Sequence, residues 1–264
     1  MCRHGFIYLL SPQSKRIAVR NILKLIKAGE YQGHDATGIA LINTQENKLV
    51  SLIKAPQLPS RFIRRKDVKE AIKQNNWDLL VFHCREATQG TPKDNRNNHP
   101  FYHPEWEILW THNGMISNDA IYREKEDPDV DSYVIGRLYY EKNRSMKKVV
   151  KKLSGTLNIQ LYDFRKKQLL IFKDNSYELY YMHKYNAIIG VSAFRMVKEA
   201  FCSRTLNILG YKFKAMSTPI YEIPVSYDTL VAIDIEKKCM DFRRIKSRTV
   251  YVYDPRNRYW SWDI

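Results

Sequence analysis

Cys2 directly follows the initiator methionine. Removal of Met1 makes it the first residue, and the aminopeptidases that remove methionine accept a neighbour as small as cysteine. A thiol and a free α-amine then share one residue. Their unperturbed pKa values, about 8.5 and about 7.7–8.0, let one act as base for the other near neutrality, with no histidine dyad needed. An adventitious cysteine at position two is the commoner case, so the rest of the chain must decide. Arg85, at the end of a strand-like run, offers a planar fork suited to a carboxylate, or an ion pair with Glu86 or a nearby acid. Asp131 opens a helical run, where a carboxylate is an ordinary cap. His112-Asn113-Gly114 reads by itself as a β-turn signal, and His99 before Pro100 as a loop residue. Cys2, His4, His83 and His99 lack metal-ligand spacing, so no metal site is expected.

These residues need a frame. GFIYLL (5–10) reads as a buried strand and KRIAVRNILKLIKAG (15–29) as an amphipathic helix stopped by Gly29. TGIALI (37–42) and KLVSLI (48–53) form a strand pair across the turn-rich NTQEN. WDLLVFHC (77–84) and EILWTHN (107–113) are strands, with a proline-broken loop over 96–106 between them. DSYVIGRLYYEK (131–142) and SMKKVVKKL (145–153) read as helices; the second turns Met146, Val149, Val150 and Leu153 inward and four lysines outward. A β-meander over 156–192, a helix near 195–208 and further short strands complete the chain. Strand runs interleaved with helix pairs predict a layered α+β domain whose sheets face each other under helices.

Four segments in fixed order, EYQGHDATGIALI (30–42), FHCREATQGTPKDNRNNHPF (82–101), THNGMISN (111–118) and DVDSYVI (129–135), together with Cys2, resemble the class II glutamine amidotransferases. The resemblance runs from Cys2 to about residue 235. It implies an N-terminal nucleophile hydrolase fold, a four-layer αββα sandwich, with residues 2–235 as the amidotransferase domain and 236–264 as a basic, aromatic extension packed on it. Glutamine is the implied substrate, attacked by Cys2 to give a thioester, glutamate and ammonia, and no cofactor is implied. Arg85 would hold the α-carboxylate and Asp131 the α-ammonium. Asn113 and Gly114 match the pair that stabilises the oxyanion, and Thr88, Gly90, Asn97 and His99 fall on substrate-loop positions.

The pattern also departs from the family. Arg3 replaces the usual glycine after the nucleophile, as in a subset that includes stand-alone γ-glutamyl amide hydrolases, which makes another γ-glutamyl amide the alternative substrate. Glu86 stands where the synthases carry an aromatic residue and Gln89 where several carry histidine. About 30 residues follow position 235, too few for an acceptor domain, so a separate acceptor subunit or a free-standing amidohydrolase is expected. The net charge of +16 suits solubility ahead of nucleic acid. A catalytically silent relative that binds nucleic acid or an acidic partner is the competing function. The four cysteines, Cys2, Cys84, Cys202 and Cys239, are widely spaced, and no apolar run reaches 18 residues. Both observations point to a cytoplasmic protein without a membrane segment.

Overall fold

The computed structural model describes residues 2–10, 17, 19–74, 76–201, 220–222 and 228–236, with backbone strands at 204–208, 211–215, 239–244, 250–254 and 257–262. Cys202, the Cys239 side chain and the side chains of 242–264 lie outside the described residues, and with them the expected aromatic surface of the extension.

Seventeen strands are described: β1 (Arg3–Leu9), β2 (Ala36–Asn43), β3 (Lys48–Ala55), β4 (Leu79–Arg85), β5 (Phe101–His103), β6 (Ile108–Ile116), β7 (Gly155–Asp163), β8 (Gln168–Lys173), β9 (Tyr180–Lys184), β10 (Ala187–Val191), β11 (Arg204–Ile208), β12 (Tyr211–Ala215), β13 (Tyr221–Glu222), β14 (Thr229–Asp234), β15 (Cys239–Arg244), β16 (Val250–Asp254) and β17 (Asn257–Trp262). One antiparallel sheet, sheet A, has the order β13-β9-β10-β1-β4-β2-β3, and a second, sheet B, has β15-β14-β8-β7-β6-β5. β11 pairs with β12, and β16 with β17, as separate hairpins.

Alternation along each strand generates the layers, because successive side chains point to opposite faces. In β1, Ile7 and Leu9 join one buried cluster while Phe6 and Tyr8 join another. β4 divides in the same way, with Leu80 and Phe82 against Leu79 and Val81. The first cluster also holds Ile22, Leu25 and Ile26 of α1 (Val19–Ala28), Phe62 of α2 (Pro59–Phe62), Val68 and Ile72 of α3 (Lys66–Lys73) and Met196 and Val197 of α6 (Phe194–Phe201). Sheet B mirrors this: Ile108, Trp110, Ile159 and Leu161 pack on Val134, Ile135 and Leu138 of α4 (Val134–Glu141) and on Met146, Val149 and Val150 of α5 (Met146–Val150). Between the sheets, Leu109, Tyr162, Leu169, Ile171, Val231 and Ile233 meet Phe6, Tyr8, Ala40 and Val81. The result is an αββα sandwich. Both faces of the central strands are buried, which is why they read as unbroken apolar runs; each large side chain so buried contributes about 1.5–3 kcal/mol.

Several expectations are corrected. Residues 156–192 are no meander, since β7 and β8 belong to sheet B but β9 and β10 to sheet A. The helix expected over 195–208 ends at Phe201, and β11 follows. Residues 101–103 of the expected loop pair with β6 as an edge strand. α2 and α3 occupy a stretch that carried no expectation. Among the described residues, no helix is long and apolar enough to cross a membrane.

Candidate active site

The register of β1 on β4, Arg3 opposite Cys84, brings residue 2 alongside Arg85 and Glu86. The half-buried Cys2 Sγ lies 3.4 Å from the Glu86 carbonyl oxygen and accepts the Glu86 backbone N–H at 3.3 Å. Burial pushes the thiol up to about 12; nearby Arg85 pulls it down, while Asp131 and Asp35 push it further. At neutral pH the thiol is therefore protonated.

One small cleft is lined by Cys2, Arg85, Thr88, His99, Gly114 and Asp131, among others. Arg85 is buried at the end of β4. Its Nη1 donates to Asn98 Oδ1 at 2.8 Å, and its Nη2 to the carbonyls of Gly90, at 3.0 Å, and Gln89. Among the described residues no carboxylate forms a salt bridge with it, so the Glu86 pair expected as one alternative is absent. Burial lowers its pKa, opposed by Cys2, Asp35 and Asp131.

Asp131 is buried in the first turn of a 3-10 helix (Asp131–Tyr133) whose N-cap is Val130, so it is not the cap. Its Oδ2 accepts the Ile116 N–H at 2.6 Å and its Oδ1 accepts Ser132 Oγ–H at 3.0 Å. Asn113 and Gly114 lie within β6, which rules out the turn reading. Asn113 is buried, and neither atom of its side-chain amide has a partner among the described residues. Gly114 has φ +154, and a Cβ there would stand 2.1 Å from the Thr156 carbonyl oxygen. Only glycine fits.

The loop after β4 is shaped by Gly90 and Asn97. Gly90 has φ +63 with the Asp129 carbonyl where a side chain would go. Asn97 donates to the Thr91 carbonyl at 3.1 Å and accepts the Asp129 N–H at 2.9 Å. His99 is no loose loop residue: it is buried and stacked on His83 with ring centroids 4.1 Å apart. Burial holds both rings well below the usual histidine range, with neighbouring positive charge adding to the effect.

Sequence reasoning missed the supports. Asn98 is fully buried; besides accepting from Arg85 it donates to Pro92 O at 2.7 Å and Asn95 Oδ1 at 2.9 Å, and its carbonyl accepts Lys54 Nζ at 2.7 Å. Burial lowers the Lys54 pKa to about 8, against the pull of Asp94. Asp35 Oδ2 accepts the Ala87 N–H at 2.7 Å, and His112 Nδ1 lies 2.8 Å from Ser132 Oγ. Asn98 and His112 both sit inside the quoted segments, but nothing in their spacing separates a support from a substrate contact.

Residues 83–198 match a model of the glutamine amidotransferase domain, and residues 23–134 a model of class-II glutamine amidotransferases. Curated relatives named glutamine–fructose-6-phosphate aminotransferase (isomerizing) include that of Wigglesworthia glossinidia brevipalpis, 33% identical over 53% of this chain and 24% of its own length. Those of Fusobacterium nucleatum (29%, over 54% of this chain and 24% of that protein) and Acinetobacter baylyi (34%, over 45% and 18%) are similar. The chain thus spans about a fifth to a quarter of the length of these relatives. Among solved structures, glutamine phosphoribosylpyrophosphate amidotransferase from B. subtilis superposes with a TM-score of 0.64 at 14% identity, over 95% of this chain and 50% of that one. A structure described as the allosteric regulatory enzyme of purine biosynthesis gives 0.65 at 13% identity, with the same coverage, and both share the fold. The two family matches, which together span residues 23–198, lead to one conclusion: the chain carries a class-II glutamine amidotransferase domain.

Proposed function

We propose that this chain hydrolyses the side-chain amide of glutamine through a Cys2 thioester and releases ammonia for an acceptor. One observation carries the reading: a single cleft joins a thiol to two buried groups of opposite charge, Arg85 and Asp131, that are not hydrogen-bonded to each other. An α-amino acid presents a carboxylate and an ammonium to such a pair, and its side chain then extends toward the thiol.

Removal of Met1 supplies the base that the buried thiol lacks. The α-amine of Cys2 takes the thiol proton as Sγ bonds to the amide carbon. The oxyanion is received by the Asn113 side-chain amide and the Gly114 N–H. The C–N bond then breaks and ammonia leaves with the proton carried by the α-ammonium. Water, deprotonated by the same amine, attacks the thioester carbon; glutamate departs and the thiol is restored. Thr88 and His99 complete the wall of the cleft.

The test is intact-mass analysis with a diazo-ketone analogue of glutamine, together with ammonia release by the wild type and Cys2→Ala. Loss of Met1, one adduct on Cys2 and no turnover in the variant are expected. Turnover by Cys2→Ala at the wild-type rate would falsify the proposal. Preference for γ-glutamyl peptides over free glutamine in competition would move the substrate but keep the mechanism.

A further inference from the structure

Arg85 does not stand alone against the substrate. Its Nη2 is held by the carbonyls of Gln89 and Gly90, so its position is only as fixed as the loop that carries them. That loop is gripped from outside by one side chain. Arg123 Nη2 donates to Gln89 Oε1 at 3.1 Å and to Asp119 Oδ2 at 2.5 Å, and Nη1 donates to Asp129 Oδ1 at 2.8 Å. Its own backbone N–H is anchored on the Asp119 carbonyl at 3.0 Å. The same stretch touches the loop twice more, through the Asp129 N–H on Asn97 Oδ1 and the Asp129 carbonyl over Gly90. Two residues beyond Asp129 comes Asp131.

Resting on the glutaminase reading above, we propose that Arg123 is a positioning residue that sets the spacing between the two poles of the amino-acid clamp, and with it the affinity for glutamine. The guanidinium cannot serve as a substrate ligand while it spans Asp119, Asp129 and Gln89. A planar fork can satisfy these three directions at once, whereas a lysine ammonium is a compact point charge on a flexible stem. Its partners differ in weight. Asp119 is 9% exposed at the side chain and Asp129 76%, so solvent screens the second ion pair and the brace depends on Asp119 and Gln89.

The experiment is steady-state glutaminase kinetics on the full chain for wild type, Arg123→Met, Arg123→Lys and Gln89→Leu, with hydrogen exchange followed over residues 86–91. Arg123→Met is expected to raise KM for glutamine by about tenfold with kcat within about twofold, the signature of lost ground-state binding. Arg123→Lys should recover part of the loss. Gln89→Leu, which leaves the ion pairs intact, should raise KM in the same direction and speed exchange in the loop, and it decides the matter if Arg123→Met does not fold. An unchanged KM in Gln89→Leu and in folded Arg123→Met, with an active wild type, overturns the brace and leaves the glutaminase reading standing. A wild type without glutaminase activity overturns both.

Discussion

The layer between the two sheets has two halves built by the same strands. At one end Phe6 and Tyr8 of β1, Leu79 and Val81 of β4, Tyr162 of β7 and Ile171 of β8 fill it with hydrocarbon and rings. Toward the other end the same faces carry His4 on β1, His83 and Arg85 on β4, Thr111 and Asn113 on β6, Asn158 and Gln160 on β7 and Lys173 on β8, all buried. The sheets are joined there by hydrogen bonds in place of packing: His4 reaches Thr111 Oγ1 and Asn158 Oδ1 at 3.0 Å each, and His83 Nε2 reaches the His112 carbonyl at 2.9 Å. Among the described residues, His83 Nδ1, both ring nitrogens of His99, and the side-chain amides of Asn113 and Gln160 are buried without partners. Each such group costs about 1–3 kcal/mol. One half of the layer is packed hydrocarbon; the other, at the strand ends nearest Cys2, is polar and joined by hydrogen bonds.

Substitutions that separate the halves test this division. The largest effect is expected of Cys2→Ala, which should lower kcat by at least ~10⁴-fold, with an unfolding temperature equal to that of the wild type. Asn113→Ala should lower kcat by about 10²–10³-fold, or about 2.7–4 kcal/mol of barrier, and should not destabilise the fold, since its amide has no partner among the described residues. A stability loss with kcat intact would place Asn113 in the structural half.

The third test uses pH. Burial lowers the His4 pKa to about 3, overriding the Asn158 hydrogen bond that raises it. Between pH 6.5 and 3 the unfolded chain therefore binds a proton that the native state refuses, and stability falls as pH falls. The slope is at most about 1.4 kcal/mol per pH unit for each such histidine, and His83 and His99 share the direction. Urea midpoints at pH 6.5 and 5.0 should differ less in His4→Asn than in the wild type, and equal differences would count against the buried neutral ring. The smallest effect is expected of Ile171→Val in the apolar half, a loss of about 0.5–1.5 kcal/mol of stability with kcat/KM of the folded protein unchanged.

Much of this division was legible before any coordinates. QLLIFK is β8 to the residue, and the apolar runs of β1 and β4 could only belong to strands covered on both faces. Of the residues expected at the site, Cys2, Arg85, Thr88, His99, Gly114 and Asp131 line one cleft while Asn113 is not in its wall, and their roles rest on the proposal above. What escaped depended on contacts between distant parts of the chain. The switch of sheets between β8 and β9 leaves no mark on strand-like sequence, because an apolar run pairs equally well in either sheet. β5 was hidden by its flanking prolines, which an edge strand tolerates. α2 and α3 lie in PSRFIRRKDVKEAIK, where charged residues outnumber the few apolar positions that meet sheet A. The contacts of Asn98 and Arg123 join distant parts of the chain, and their neighbours in sequence do not announce them.

The place of β1 also has a consequence in time. The strand lies between β4 and β10, both later in the chain, so it is among the last to have both its neighbours. Its second partner begins at Ala187, and at about 5–20 residues per second that segment is made roughly 9–37 s after β1 itself. Throughout that interval the strand has an open side and its end is accessible. If Met1 is removed as proposed above, this window is when an aminopeptidase reaches it, before the sandwich closes around the new amine.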